Sequence, residues 1–466
     1  MGIPAAPTRS DPSDGRVAVA TVCLLSVGSV VGVGGAVGGD LPLALGGAAL
    51  AAAALTLLFA AGWLPGLGAL ALSLPLPALY SGPGVRLSPA AALTGLVLFG
   101  WALGRVSRAG PIQLAGLPRR STAALFAAIV VASLFADARV AALRELVNFG
   151  LLLGLLVVAT DILTTHRGLG NRLARTLAGI AGVAGVLAAL QVTGAIPAAF
   201  PLVGTSLYRA TLGFGWPNEL GMYFAVSLPL CWYALRVSEG ATGRALAAVA
   251  FGAAGLGLLA TFSRGSWLAF LLSVSVLLFS GEARLALRVA LGVALSVGLV
   301  DLASGGVLSE RLLSLADDPY VIQRGALMFV GVLMFLSSPI VGVGPGGFGA
   351  HLEDFGPQVP FLWDYVGSAH NAYLEIAAET GALGLAALLL FLGAVFFGLL
   401  RSARASSAGP DALLRRGLLW SFTAACIAGF TAWPFAHGIG QLIVLVIAMG
   451  LAAARAEPLP ERRRDV

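Results

Sequence analysis

The sequence predicts an all-α polytopic membrane protein, and its composition and hydropathy pattern are the two observations that lead to this class. Hydrophobic residues form 58% of the 466-residue chain, charged residues form only 11%, and the mean hydropathy is +0.93. A soluble domain of this length would need a far more charged surface. Apolar runs close to the roughly 20 residues that a membrane helix requires recur along the chain, and they predict about 12–14 transmembrane helices.

The predicted spans follow one another from residue 17 to residue 454. The first is too long for the apolar region of a cleaved signal peptide, so we interpret it as a membrane anchor. The second and third are the least regular because Pro65 and Pro75 interrupt them, and without this pair about twelve spans remain. The approximate ranges are 17–37, 43–63, 66–80, 88–104, 122–136, 146–163, 173–194, 218–235, 245–262, 265–280, 285–303, 380–400, 414–432 and 438–454.

Arginine clusters between the apolar runs predict the orientation. The chain contains no lysine, so its 28 basic residues are all arginines, and the net charge is +6. If the spans alternate, the clusters fall on one side, which the positive-inside rule identifies as cytoplasmic, with both termini there. Such clusters suit an anionic membrane surface rather than nucleic acid. They lie at 9–16, 105–120, 167–175, 236–244, 284–288, 401–416 and 455–464.

Two connections on the opposite side are longer than the others, at approximately 195–217 and 304–379. The second is too long for a simple connection, and its aromatic residues indicate an ordered periplasmic loop. The predicted organisation is a cytoplasmic tail at 1–16, N-terminal transmembrane helices at 17–194, helices with an outer loop and a Ser-Arg-Gly motif at 195–303, the large periplasmic loop at 304–379, C-terminal transmembrane helices at 380–454 and a basic cytoplasmic tail at 455–466.

Arginines on the outer side require their own explanation. Arg264 separates two apolar runs with almost no loop, so its guanidinium must lie at the outer interface. Arg324 falls in the second turn of a helix predicted to begin at Pro319, after an aspartate cap, and to end before Pro339. Arg209 lies in the shorter outer loop. The remaining outer arginines are expected to be surface or snorkelling side chains: Arg86, Arg139 and Arg311.

A guanidinium group binds phosphate in a bidentate way and stays charged. Arg209, Arg264 and Arg324 are therefore candidate ligands for a lipid-linked phosphate or diphosphate at the outer membrane surface. Ion pairs within the same loop are an equally open alternative, with Asp317, Asp318, Glu353 and Asp364 as the acidic partners.

His370 has the best case for catalysis among the four histidines. It stands before a long apolar run, in the string Ser-Ala-His-Asn-Ala-Tyr-Leu-Glu, where Ser368 could cap a helix whose dipole favours an anion. A neutral imidazole is suited to removing a proton from a sugar hydroxyl. Glu375 could orient the imidazole or bind substrate, or simply compensate the helix dipole. Asn371 and Tyr373 are candidate supporting residues in the same string.

Several other features are expected to be structural. His351 and His437 are interpreted as satisfied structural histidines. The run Gly342–Gly349 lacks the preceding strand and following lysine of a phosphate loop, so it predicts a tight connector. Asp317 and Asp318 are more consistent with helix capping than with a metal site, because no further carboxylate follows at ligand spacing. The cysteines lie within apolar runs and form no CxxC pair: Cys23, Cys231 and Cys426.

The order and spacing of these motifs over about residues 200–386 resemble the O-antigen ligase and polymerase family. The similar elements are the His370 string with the following Glu-Thr-Gly-Ala-Leu-Gly, the turn Ser263–Gly265, the Arg324 helix and the glycine turn Gly342–Gly346. The resemblance implies a GT-C-like fold of membrane helices with a periplasmic loop containing short helices. It also implies a glycosyltransferase that needs neither metal nor cofactor and takes a glycan from undecaprenyl diphosphate.

The resemblance further implies roles for single residues. His370 matches the histidine proposed as general base towards the acceptor hydroxyl. Arg264 and Arg324 match the arginines thought to hold the diphosphate, and Arg209 is a weaker match. The expected location is the bacterial inner membrane, with the active site facing the periplasm and a role in lipopolysaccharide biosynthesis.

The acceptor stays open at this point. A ligase would transfer the glycan to lipid A core, a polymerase would use a second lipid-linked glycan, and an oligosaccharyltransferase would use protein hydroxyls. A transporter would call for ionisable residues at mid-span or two repeated halves. Asp161, Glu219 and Asp301 instead lie near span ends, and no internal repeat is seen.

Overall fold

The computed structural model describes residues 63–454, apart from short gaps at 78–79, 83–84, 108–110, 115, 203–204, 280, 304, 307–308, 310–318, 363–366, 406–408 and 436–437. The predicted span 17–37, nearly all of 43–63 and both predicted cytoplasmic tails lie outside the described residues. So do His437, Arg311 and the Asp317–Asp318 pair. The chain divides into two compact units, residues 1–70 with 95–110 and residues 71–94 with 111–466.

The protein is mainly helical, as predicted, and its few strands are short. The first helices are α1 (Trp63–Ser73) and α2 (Pro89–Ser107), with the antiparallel hairpin β1 (Tyr80–Gly82) and β2 (Val85–Leu87) between them. Apolar helices then follow: α3 (Arg119–Leu134), α4 (Arg139–Thr165) and α5 (Leu169–Val192). A second antiparallel pair, β3 (Phe200–Pro201) and β4 (Tyr208–Arg209), precedes a short 3-10 turn at Leu212–Phe214.

The second half of the chain carries the candidate site. Its longer helices are α6 (Pro217–Val237), α7 (Gly240–Ala260), α8 (Arg264–Ser273), α9 (Ser275–Phe279), α10 (Ala283–Ala303) and α11 (Pro319–Ser337). Two single-turn helices follow, α12 (Gly347–Ala350) and α13 (Leu352–Phe355), and then a 3-10 turn at Gly356–Gln358. The chain ends in α14 (Ala372–Ala405), α15 (Pro410–Ala428) and α16 (Ile439–Ala454).

Within the described residues, six helices are long and apolar enough to cross a membrane: α4, α5, α6, α7, α11 and α14. Shorter apolar helices occur at Pro89–Arg105, Arg264–Phe279, Ala286–Leu299 and Ile439–Ala454. The chain is therefore a multi-pass helical membrane protein. Helix α11 belongs to this set although it lies inside the predicted loop 304–379. Helix α14 begins at Ala372 rather than near 380, because its first turn is capped by the segment around His370.

Helix α6 forms the centre of the larger unit. Nearly all of its membrane window is buried, against α5, α7 and α15. Glycines allow α5 and α7 to approach closely, since a methyl group at Gly185 would meet the backbone of Ala253, and one at Gly182 would meet Ala250. Small residues at such crossings allow van der Waals packing of backbones in lipid.

The residues after α10 form a small apolar cluster of their own. Leu327 and Val330 of α11 pack there with Phe348 of the glycine turn and with Ala369, and all four side chains are buried. Aromatic residues in this part of the chain indicated an ordered segment, and the cluster agrees with that. It joins the Arg324 helix to the residue before His370.

Gly185→Ala is expected to lower the melting temperature of the detergent-solubilised protein, because overpacking of this kind costs about 1–3 kcal/mol. Gly179→Ala in the same helix is the matched control. Open space surrounds Gly179, and alanine favours a helix over glycine by up to about 1 kcal/mol. An unchanged melting temperature for Gly185→Ala would contradict the close approach of α5 and α7.

Candidate functional site

Arg264 stands at the first position of α8, directly after a tight turn that joins it to α7. The turn is fixed by buried hydroxyls: Ser263 Oγ donates to Asn218 Oδ1 at 2.9 Å and lies 3.0 Å from Ser266 Oγ. Phe262 within the turn has a φ of 48°, which is rare for an aromatic residue. The fixed turn therefore holds a cation at the positive end of a helix, an arrangement that favours a bound anion.

Arg209 supports this turn from the neighbouring strand β4. Its Nε donates to the carbonyl of Thr261 at 3.1 Å, and its Nη2 donates to the carbonyl of Phe262 at 3.4 Å. The next residue, Ala210, donates its amide to the carbonyl of Ala260 at 2.9 Å. The guanidinium thus contacts the carbonyls that end α7. This geometry favours a positioning role for Arg209 rather than the diphosphate-binding role expected from the sequence.

The segment around His370 forms a second fixed turn. His370 has a φ of 52°, and its amide donates to Ser368 Oγ at 3.2 Å. Glu375 is buried, and its Oε2 accepts hydrogen bonds from Ser368 Oγ at 2.7 Å and from the amide of Ala369 at 2.9 Å. The carboxylate therefore contacts the chain just before His370 and sets the path of the backbone.

Asn371, and not Ser368, caps helix α14. Its Oδ1 accepts hydrogen bonds from the amides of Tyr373 and Leu374, each at 3.1 Å. The expectation that Ser368 caps the helix was wrong, because the hydroxyl of Ser368 is directed to Glu375 instead. Asparagine is among the strongest N-cap residues, so Asn371 provides a good hydrogen-bond acceptor for the first amides of α14.

Tyr373 anchors the start of α14 to the end of α15. Its hydroxyl donates to the carbonyl of Cys426 at 2.6 Å, and its ring lies 4.5 Å from that of Phe430. The amide of Ala372 donates to the carbonyl of Gly429 at 2.8 Å. Tyr373, predicted as a supporting residue, thus has structural contacts that hold the segment after His370.

The segment Gly429–Thr431 connects the two turns. Gly429 receives the Ala372 amide, while Gly265 packs so closely on Thr431 that a methyl group at residue 265 would overlap its side chain. One short segment thus contacts the neighbours of both His370 and Arg264. No sequence motif marked it, because it lies far along the chain from either turn.

Arg324 is the charged group whose field acts on His370. It lies on α11, which packs closely on α14 where Gly331 meets Leu374. Burial, followed by the positive charge of Arg324, lowers the pKa of His370 to about 4. The imidazole is therefore neutral at physiological pH, the form that can accept a proton.

The glycine run Gly342–Gly349 is a tight connector against α14, as predicted. Amides in the run reach α14: Val343 donates to the carbonyl of Ala378 at 3.0 Å and Phe348 donates to Glu379 Oε1 at 3.1 Å. A methyl group at Gly342 would meet the backbone of Glu379. A carboxylate of the protein itself therefore receives amides that a phosphate would receive in a phosphate loop.

Helix α14 bends just beyond these contacts. Gly381 has a φ of 64°, which interrupts the helix, and a methyl group there would meet the backbone of Ile340. The bend lets the first turns of α14 lie against the glycine run while the rest continues as an apolar helix. Only glycine fits this position, because it needs both the left-handed φ and the close approach.

His351 and Arg139, which the sequence analysis placed on the outer side, have other surroundings. Nδ1 of His351 is 3.1 Å from Asp354 Oδ2, so its structural interpretation agrees with the contacts. Arg139 begins α4. In the part of the chain that the structure describes, no group of three or more His, Cys, Asp or Glu side chains is arranged to hold a metal ion.

A comparison with a known protein family bears on the same region. Residues 248–389 match the family described as O-antigen ligase, and this segment contains Arg264, Arg324 and His370. The chain is also 26% identical over 244 residues to the exopolysaccharide production protein ExoQ of Rhizobium meliloti (strain 1021). That match covers 47% of this chain and about half, 51%, of the relative. The predicted resemblance is confirmed over these segments, and together they support a ligase- or polymerase-type role.

Arg324→Gln is expected to raise the pKa of His370 from about 4 towards its ordinary value near 6.5, because a positive charge close to the imidazole is removed. The shift should be partial, since burial is the larger cause. The measurement is a pH titration of the imidazole signals by NMR, with His370→Asn identifying the resonance. Arg401→Gln, on an exposed arginine at the other end of α14, should leave the titration unchanged. An unchanged midpoint in Arg324→Gln would contradict the coupling.

Proposed function

We propose, from the family match over residues 248–389 and the geometry of the two joined turns, that the protein transfers a glycan from undecaprenyl diphosphate to an acceptor hydroxyl. The proposed setting is the bacterial inner membrane, with the site facing the periplasm and both termini in the cytoplasm. The observation that carries the proposal is that the segment Gly429–Thr431 joins a fixed arginine turn to a fixed histidine turn.

The donor is activated before it reaches the protein. The bond between the sugar C1 and the diphosphate breaks, the acceptor oxygen forms a new bond to that carbon, and the diphosphate departs with its negative charge. Arg264 at the N-terminus of α8 and Arg324 on α11 are proposed to stabilise that charge, since cationic groups fixed in advance need no reorganisation during the reaction. Arg209 is proposed to act indirectly, by holding the turn that presents Arg264.

His370 is proposed as the general base. Its neutral imidazole would accept the proton of the acceptor hydroxyl as that oxygen attacks. Arg324 then has a double effect, because its charge both attracts the diphosphate and disfavours a protonated His370 before reaction. Glu375 and Asn371 are proposed to position the imidazole through the backbone, and the reaction requires no metal in this scheme.

The leading proposal for the acceptor is lipid A core, which would make the protein an O-antigen ligase. A specific observation favours a second candidate: the similarity to a protein named for exopolysaccharide production suits a polymerase that joins lipid-linked repeat units. The same residues would serve both reactions because only the acceptor differs. The experiment offers purified protein a lipid-diphosphate glycan together with either lipid A core or excess donor. One shift of lipid A core would support a ligase, and a growing ladder on the lipid carrier would support a polymerase.

His370→Asn is expected to reduce transfer by at least about a hundredfold, the lower bound for loss of a general base. Asparagine is chosen because it tolerates a positive φ, so the turn should keep its shape. His351→Asn is the control, since His351 is an outer histidine paired with Asp354 and should retain activity. Full activity in a folded His370→Asn variant would overturn the assignment of the base, whichever acceptor is used.

A further inference from the structure

We propose that Trp216, in contact with the ring of Phe200, is a carbohydrate-binding platform that takes a pyranose ring of the glycan beside the Arg264 turn. This inference rests on the proposed function, because it assumes that a glycan reaches that turn. Trp216 would bind a sugar of the glycan. The proposed arginines act on the diphosphate instead, and the proposed histidine acts on the acceptor hydroxyl.

The two rings form an exposed aromatic surface. Trp216 is 50% exposed, and its ring centroid lies 5.4 Å from that of Phe200 at an interplanar angle of 47°. Tryptophan is usually well buried, so a half-exposed ring held by a second aromatic residue calls for an explanation. The Phe200 ring contacts the indole at a tilted angle, and half of the Trp216 surface stays exposed.

Both rings are carried by elements that contact the Arg264 turn. Trp216 stands two residues before Asn218, whose Oδ1 receives the hydroxyl of Ser263. Phe200 pairs across the β3–β4 hairpin with Arg209, and Arg209 binds the carbonyls of the turn. The platform and the proposed diphosphate site are therefore neighbours through two separate connections.

The platform is built before any ligand arrives. Pro217 begins α6 directly after Trp216, and the Trp216 carbonyl accepts the amide of Leu220 at 3.3 Å. Buried Gln191 fixes the chain between the hairpin and Trp216, because its Oε1 accepts the amides of Thr211 and Leu212, each at 2.9 Å. A rigid surface of this kind limits the entropy lost on binding.

The chemistry of the surface suits a sugar better than another ligand class. One face of a pyranose ring presents C–H groups with a slight positive charge, and the face of an indole is negative, so the two attract. Hydroxyls at the edge of the sugar stay in contact with water because the indole is only partly enclosed. A glycan held at its diphosphate by Arg264 would place its sugars next to this neighbouring surface.

Tryptophan is also common at the membrane–water interface, where it anchors a protein in lipid without binding sugar. The two roles need different parts of the side chain. Interfacial anchoring needs an apolar, bulky group, whereas sugar stacking needs a flat aromatic face. Trp216→Leu keeps the apolar bulk and removes the ring, and Trp216→Phe keeps a ring, so the two variants separate the roles.

The test measures equilibrium binding of two probes in the His370→Asn background, where transfer is expected to be at least about a hundredfold slower. One probe is the lipid-diphosphate glycan, and the other is undecaprenyl diphosphate without sugar. Trp216→Leu is expected to weaken binding of the glycan-bearing probe about threefold to tenfold, the range of one aromatic contact, and to leave the bare probe unchanged. Trp216→Phe should recover most of the affinity. Phe135→Leu, at an exposed aromatic residue after α3, should change neither probe.

Equal affinity of Trp216→Leu and the parent for both probes would overturn the proposal. Equal weakening of both probes would also overturn it, since that result indicates lipid anchoring or a disturbed turn. Steady-state assays of Trp216→Leu with His370 intact then show whether the bound sugar belongs to the donor or to the acceptor. The substrate whose KM is raised is the one that carries this sugar. Failure of the proposed function gives a different result. In that case transfer survives in His370→Asn, while the difference in glycan binding between Trp216→Leu and the parent persists.

Discussion

The hydrogen bond from the Ala372 amide to the Gly429 carbonyl, together with the close packing of Gly265 on Thr431, is the constraint on which the candidate site depends. His370 and Arg264 lie about a hundred residues apart in sequence: His370 stands just before α14, and Arg264 begins α8. The short segment after α15 contacts the neighbours of both. The segment therefore links the proposed base to the proposed phosphate ligand.

Buried carboxylates shape the backbone around this constraint. Glu375 receives the hydroxyl of Ser368 and the amide of Ala369, and Glu379 receives the amide of Phe348. In a chain with few charges, these acids serve as internal acceptors for loop segments that lack a strand or helix partner. Buried polar groups need such partners, since an unsatisfied one costs about 1–3 kcal/mol. The result is a set of irregular turns whose backbones are held by hydrogen bonds to buried carboxyl groups.

Local signals in the sequence predicted much of this arrangement. The helical membrane class follows from composition, the helix from Pro319 to Ser337 follows from its proline signals, and the connector role of Gly342–Gly349 follows from its lack of phosphate-loop features. Each of these depends on neighbouring residues only. Helix α11 was predicted as a helix within the large loop, and its length and apolar character place it among the candidate membrane helices.

Features that depend on distant contacts could not be predicted in this way. Arg209 was grouped with the phosphate ligands, a role that stays a prediction, and its hydrogen bonds to the carbonyls of Thr261 and Phe262 have no signal in the sequence. Ser368 was taken as the cap because serine is a good N-cap, but the competing carboxylate of Glu375 decides its hydrogen bond. The segment Gly429–Thr431 carries no motif at all, since its role comes from backbone position and small size.

The proposed role of the Arg264 turn is to bind the donor diphosphate. It is tested most directly by the dissociation constant of undecaprenyl diphosphate for the parent protein and for Arg264→Lys, with Arg401→Lys as a control at an exposed arginine near the opposite end of α14. An ammonium group cannot form the fork that a guanidinium makes with phosphate. We expect binding to weaken about tenfold or more in Arg264→Lys, as for loss of a charged hydrogen bond, and to stay unchanged in the control. Equal affinity of all three proteins would contradict it.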